Sequence, residues 1–196
     1  MGESIEIEYK SLLTQEEYQR LLQRYVTDSN SGFTQTNVYY DTPDFALKAL
    51  GMGLRIRLMA TKAEFTLKSP LQTGAGLLET TDELTLAIAE QLVAREQLPT
   101  DGEVVKKLAL LDIPLDQLVV HGQLTTKRIE TPLTPTILLV LDESWYHGKH
   151  DYELEMEVSN ALTGKDYFVK FLNENAIDYK VAKNKIVRTF DAKVSS

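Results

Sequence analysis

The chain has 196 residues, 43% of them hydrophobic and 26% charged, with a formal net charge of -8 and no cysteine. That length suits one domain, 1–196, with a sizeable core, and the missing cysteine excludes disulfides, cysteine-ligated zinc and thiol catalysis. The acidic balance argues against nucleic-acid binding; no apolar run nears the roughly 18 residues of a membrane span, and no signal peptide is visible, so a cytoplasmic protein with no membrane partner is expected.

Residues 3–13 read as a first strand. Thr14 and Glu17 form a capping box for a helix to about Val26, with Tyr18, Leu21, Leu22 and Tyr25 on one stripe. Asp28-Ser29-Asn30-Ser31-Gly32 is a turn cluster. Strand-like segments follow at 34–41, 46–50, 53–60, 63–69 and 75–81, separated by turn residues; Pro70-Leu71-Gln72-Thr73-Gly74 is a loop by composition. Helices are expected near 84–97 and 102–111, with a short turn at Leu115–Leu118. Strands near 119–131, 136–147 and 150–159 are broken by Pro132, Pro135 and Gly148. Thr163 is expected to cap a helix over 164–176, and 181–190 fits either helix or strand. No linker, repeat or low-complexity segment interrupts the chain.

Charges recur at every second residue within these strands. In I-E-I-E-Y-K, Glu6, Glu8 and Lys10 share one face and Ile5, Ile7 and Tyr9 the other. Arg55 and Arg57 alternate with Leu54, Ile56 and Leu58; Lys68 follows Phe65 and Leu67; Glu153, Glu155 and Glu157 alternate with Leu154, Met156 and Val158. Short connections imply antiparallel pairing, and about eight strands can close around one small ligand. The apolar faces, Ile5 included, would then lie outside under the helices. The charges would line an open interior, because they could not all be packed dry.

These motifs, in this order, resemble the CYTH superfamily, the triphosphate tunnel metalloenzymes, over about residues 3–190. E-I-E-Y-K matches its E-x-E-x-K signature, and Tyr39-Tyr40-Asp41-Thr42-Pro43-Asp44 its Y-x-D-T-x-D segment. Leu54-Arg55-Ile56-Arg57 and Thr66-Leu67-Lys68 match its L-R-x-R and T-x-K strands. Thr126-Lys127-Arg128, Asp142, Glu155-Met156-Glu157 and a basic C-terminal segment complete the set. The chain is most similar to the bacterial branch, less to animal thiamine triphosphatases or class IV adenylate cyclases. The resemblance implies an α+β fold: an eight-stranded antiparallel β-barrel, the triphosphate tunnel, with helices packed outside. It also implies a triphosphate-bearing small molecule as ligand, with Mg²⁺ or Mn²⁺.

The residue types agree with that chemistry. Triphosphate hydrolysis needs charge stabilisation more than covalent catalysis. Arg55 and Arg57 on one strand face can grip phosphate oxygens bidentately, with Lys10, Lys68 and Arg128 adding cations. Strand parity does not choose among Lys183, Lys185 and Arg188; Lys185 is taken as the C-terminal phosphate ligand. Carboxylates beside a polyphosphate need a cation between them, and hard divalent ions take oxygen ligands. Glu6, Glu8, Glu155 and Glu157 are therefore read as metal ligands, with Asp142 and Glu79 added. Glu6, Glu8 and Lys10 are the candidate catalytic set. One metal would bridge phosphate oxygens and a second would activate the attacking water.

Other residues have plainer readings. Glu153 reads as a solvated residue at the tunnel mouth and Lys127 as outward-facing. His121, His147 and His150 lack further zinc ligands. Asp41 and Asp44 flank Pro43 as turn formers, Trp145 reads as packing, and no Walker-type loop exists. The leading reading is a metal-dependent triphosphatase acting on tripolyphosphate, thiamine triphosphate or a nucleoside triphosphate. The alternatives are an adenylate cyclase and a non-catalytic polyphosphate or nucleotide sensor.

Overall fold

The computed structural model describes residues 2–27, 31–72 and 74–194. Asp28, Ser29 and Asn30 of the expected turn cluster, and Thr73 of the expected loop, lie outside them. The described residues form one antiparallel sheet of nine strands rather than eight: β1 (Gly2–Glu6), β2 (Glu8–Leu13), β3 (Phe33–Asp41), β4 (Gly53–Leu58), β5 (Ala63–Pro70), β6 (Leu77–Leu84), β7 (Val119–Thr134), β8 (Ile137–Tyr146) and β9 (Lys149–Val158). The extra strand comes from the first segment, which breaks at Ile7. Its first half pairs with β6 and its second with β9, while the Ile7 carbonyl accepts from Val158 N–H at 2.9 Å. The sheet order is β1-β6-β5-β4-β3-β7-β8-β9-β2, so its two ends are halves of one bent strand and the wall curls back on itself. Gly76 makes room for the bend: at φ 109°, a Cβ there would lie 2.4 Å from the Glu6 carbonyl oxygen.

Apolar strand faces point outward, as the alternation requires, and helices cover them. Leu54, Ile56, Phe65 and Leu67 are buried in a cluster with Ala89 of α3 (Leu86–Ala94) and with Val104 and Leu108 of α4 (Glu103–Leu110). Leu154, Met156 and Val158 are buried with Tyr18 and Leu21 of α1 (Gln15–Tyr25) and with Phe168, Phe171 and Leu172 of α5 (Ala161–Glu174). Ile5 departs from expectation: it is 61% exposed.

The capping box at Thr14 forms as read, and Leu115–Gln117 is a 3-10 turn. Three local expectations are corrected. Residues 46–50 are not a strand: Ala46–Ala49 is a short helix, α2, because the Asp41 carboxylate accepts from Leu47 and Lys48 N–H at 2.8 and 2.9 Å. The cap of α5 is Asn160, not Thr163; its Oδ1 accepts from Leu162 and Thr163 N–H. Pro132 does not end β7, since pairing with β3 stops at Phe33 opposite Arg128. Beyond that point β7 is an edge on one side, where proline is tolerated. The C-terminal segment is helical, α6 (Lys185–Val194).

Candidate active site

Inside the wall lies a cavity of about 330 Å³. Glu6, Glu8 and Lys10 reach it from β1 and β2, Arg55 and Arg57 from β4, and Lys68 and Glu79 from β5 and β6. Arg128, Glu155, Glu157 and Lys185 complete the set, from β7, β9 and α6. With β1 and β2 counted as one stave, the ring has eight positions, and β4 sits opposite β9. The arginines therefore face the glutamates across the lumen. α6 lies over one end: Asn184 Oδ1 accepts from Lys10 Nζ at 2.5 Å, and the Phe190 and Tyr39 rings meet edge-on at 6.4 Å. A second cavity of about 420 Å³ shares Glu6, Glu79 and Glu157 with the first.

The basic wall is only partly neutralised. Arg57 Nε donates to Asn37 Oδ1 at 3.0 Å, and its nearest carboxylate, Glu64, is 3.8 Å away. Burial, with Arg55 and Arg128 close by, pulls its pKa down to about 10. The Arg57 guanidinium thus lies buried beside two other cations, which disfavour its charged form. Arg55 lies 3.5 Å from Glu79; Lys68 pairs with Glu6 and, at 2.7 Å, with Glu79. Burial would raise the Glu79 carboxyl, but Lys68 and Arg55 hold it below the usual range.

On the acidic wall, Glu8 stands directly opposite Glu157 in the β2–β9 register. Like charges in that position repel. Glu8 takes Lys10 at 2.6 Å, whereas Glu157 has only a 3.9 Å approach from Arg128. Burial, reinforced by Glu6, Glu155 and Glu130 against the pull of Arg128, pushes the Glu157 carboxyl up to about 7. Among the described residues the carboxylates whose oxygens lie within 4.8 Å of one another are Asp142, Glu153 and Glu155; Glu6, Glu8 and Glu157 line the same cavity and offer the hard oxygen donors that a divalent ion takes.

Asp142, expected as a metal ligand, lies with Glu153 and Glu155 in a group of carboxylates whose oxygens are within 4.8 Å of one another. It is fully buried and is not among the residues lining the cavity. Its carboxylate accepts from Arg128 Nε at 2.9 Å and Arg128 NH2 at 2.6 Å, and Lys185 Nζ is 2.8 Å away. Glu153 is likewise no solvated mouth residue. It is fully buried, paired with Lys185 and, at 2.6 Å, with Arg188, and burial drives its carboxyl upward. Glu155 accepts from Arg128 and Lys185, each at 2.6 Å. These two cations overcome burial and hold the Glu155 carboxyl well below its ordinary range. Of the three C-terminal cations, Lys185 lines the cavity, Arg188 braces α6 against Asp151 and Glu153, and Lys183 pairs outside with Asp191.

Lys48, Gln35, Asn37, Glu130 and Asn184 line the cavity without having been read as site residues. Strand parity could have found Gln35 and Asn37, which alternate with Val38 and Tyr40, and Glu130, two residues from Arg128. Lys48 had no such signal, since its segment is helical. Asp41 bonds the turn backbone at Thr42 N–H, 2.8 Å, as its plain reading has it, and also caps α2; Trp145, expected to pack, is 40% exposed and stacks on His150, 5.1 Å between rings.

A model of the CYTH domain matches residues 4–190. The Bacillus subtilis protein named "Putative triphosphatase YjbK" is 36% identical over 196 residues, covering all of both chains. A Bacillus halodurans crystal structure, described as that of a "putative adenylate cyclase", is 37% identical with a TM-score of 0.88, over 97% of this chain and 100% of that one. A Hippeastrum protein, described as a "putative adenylyl cyclase" with "dominant" triphosphatase activity, shares the fold at 21% identity and a TM-score of 0.75, over 96% of each chain.

Proposed function

The chain belongs to the CYTH domain family, and on that premise we propose that it is a metal-dependent phosphohydrolase acting on triphosphate-containing substrates inside the tunnel. One observation carries the proposal: Arg55 and Arg57 face Glu155 and Glu157 across a single cavity that Lys10, Lys68, Arg128 and Lys185 also line. Residues 1–196 act in it as one domain, because both the first strands and the last helix reach that cavity.

In this proposal Arg55 and Arg57 clamp phosphate oxygens, and Lys10 and Lys68 turn from Glu8 and Glu6 toward the chain of phosphates. Arg128 and Lys185, already oriented by carboxylates, hold the far side. Glu6, Glu8 and Glu157 are the residues that would hold Mg²⁺ or Mn²⁺. When bound, that ion would neutralise phosphate charge and activate water. Neutralisation is also what lets four or so phosphate charges sit beside these carboxylates. Inorganic tripolyphosphate, thiamine triphosphate and nucleoside triphosphates share the group these residues grip.

A cyclase reading is favoured by the description of the Bacillus halodurans structure, and it needs a base-reading pocket. The aromatic rings lining the cavity, Tyr39 and Phe190, pack on each other. Product analysis separates the two: orthophosphate from tripolyphosphate marks the hydrolase, pyrophosphate with cyclic nucleotide from ATP the cyclase. Phosphate release with Mg²⁺ or Mn²⁺, lost in Glu6→Gln/Glu8→Gln, is the expected result. No release from folded protein, with triphosphate still bound tightly, would leave a sensor.

A further inference from the structure

Two arginines of this tunnel make the same cross-strand hydrogen bond and keep different amounts of their charge. Arg128 on β7 stands opposite Asp142 of β8, and Arg57 on β4 stands opposite Asn37 of β3. In each pair the guanidinium Nε donates to the partner's Oδ1, at 2.9 Å to Asp142 and 3.0 Å to Asn37. Both partners are shut off from water, Asp142 being 0% exposed and Asn37 1%. They differ at one atom: Asp142 has a second carboxylate oxygen where Asn37 carries an amide nitrogen. That second oxygen and Glu155 each accept from Arg128 Nη2 at 2.6 Å, so carboxylates already balance this cation. Arg57 has its nearest carboxylate, Glu64, at 3.8 Å, directly opposite on β5, and its bond to Asn37 brings no charge. Basicity follows. Burial lowers both guanidinium groups; Asp142 and Glu155 carry Arg128 back well above its ordinary value, while Arg57, beside Arg55 and Arg128, falls to about 10. Gln35, two residues back on the same inward face, is also an amide; it is 2% exposed, lines the cavity, and its Oε1 has no hydrogen-bond partner among the described residues. Between the arginines of β4 and β7, β3 therefore presents amides where a carboxylate would quench its neighbours.

We infer that Asn37 is a positioning residue for phosphate binding: its amide fixes the Arg57 guanidinium at the lumen wall without neutralising it, and so leaves that charge to be completed by a phosphate group of the ligand. This rests on the triphosphate reading above and deepens it by separating the arginines. Arg128 is held by protein carboxylates; Arg57 is held by an amide and waits for the anion. Asparagine, rather than aspartate, is the specificity-determining choice at position 37.

The test is a pair of substitutions on either side of Arg57 with opposite expected signs. Binding of bismethylene triphosphate, whose P–C–P bridges resist hydrolysis, is measured by calorimetry on the full chain with excess Mn²⁺. Asn37→Asp keeps the size and the Oδ1 acceptor and adds a charge. It should weaken binding about tenfold and leave the melting temperature of the ligand-free protein equal or higher. Glu64→Gln removes the carboxylate on the other side and should tighten binding about threefold. A purely structural role predicts the reverse pattern for position 37, since aspartate is the near-isostere. Binding by Asn37→Asp within about twofold of wild type, or binding by Glu64→Gln no tighter than wild type, would overturn the inference. Glu64→Gln decides alone if Asn37→Asp does not fold. If wild type neither binds the analogue nor releases phosphate from tripolyphosphate, the triphosphate reading falls and takes this inference with it. If wild type does both and Asn37→Asp matches it, the inference alone is removed.

Discussion

Glu157 is the residue whose charge state decides most. Its carboxyl is pushed up to about 7 from an ordinary 4.5, so between those values the folded metal-free chain holds a proton that the unfolded chain has released. Stability therefore falls as pH rises through that window and levels off above about 7. Glu157→Gln should be the more stable protein above pH 7, by about 1 kcal/mol, less than full linkage because the side chain is 32% exposed. If Glu157 holds the proposed ion, proton and metal would compete for its oxygens, and Mn²⁺ affinity should be weak at pH 6, climb, and plateau above 7. Calorimetry at three pH values checks this; a flat profile would remove Glu157 from the ion's ligands. Arg57 makes the complementary case. Its guanidinium is buried beside two other arginines, with its nearest carboxylate, Glu64, 3.8 Å away. Arg57→Ala should raise the KM for tripolyphosphate by about tenfold to a hundredfold and leave the melting temperature equal or higher. Paired kinetics and melting curves test it, and a lowered melting temperature with unchanged KM would mark Arg57 as structural.

At the scale of elements, what the sequence displays depends on how far apart the partners lie. The α1 capping box needs only Thr14 and Glu17, three residues apart, and is legible. α4 is capped from another element altogether: Asp82 of β6 accepts from Glu103 and Val104 N–H at 3.1 and 2.9 Å. The local N-cap, Gly102, has no side chain and a φ of 115°; a Cβ there would lie 2.3 Å from Asp82 Oδ2. Asp82→Ala should cost about 1–2 kcal/mol by denaturant titration. Turnover per folded molecule should hold, since Asp82 is not among the cavity-lining residues. α2 repeats the lesson. Its Ala-Leu-Lys-Ala-Leu run looks like a strand until Asp41 gathers its amide hydrogens.

For the whole molecule, the arrangement that matters is the ring. Acidic staves (β1/β2, β9, β6) lie next to one another, and the arginine stave faces β9. In the proposed function, anion and metal would each relieve repulsion on their own wall and shield the other's partner, which would couple their binding. Bismethylene triphosphate and Mn²⁺ together should raise the melting temperature by more than the sum of either alone. At about a hundred times Kd, the combined shift should be about 5–10 °C. A differential scan with each component singly and both together measures the excess; simple additivity would contradict a shared cavity.

Alternation alone determined the wall of this protein. Period-two charges at Glu6–Lys10, Arg55–Arg57 and Glu153–Glu157 dictate an inward polar face, because a strand must send successive side chains to opposite sides. The matching apolar positions dictate helices outside. Tertiary structure decided which charges are free. Glu155 and Glu157 are equivalent by parity, yet Glu155 is captured by Arg128 and Lys185 while Glu157 is left facing Glu8. Asp142 looks like any inward carboxylate until Arg128, on the neighbouring strand, and Lys185, 43 residues further along the chain, close over it. Partners that distant meet only through the closure of the sheet and the docking of α6, and a strand's own sequence holds no record of either.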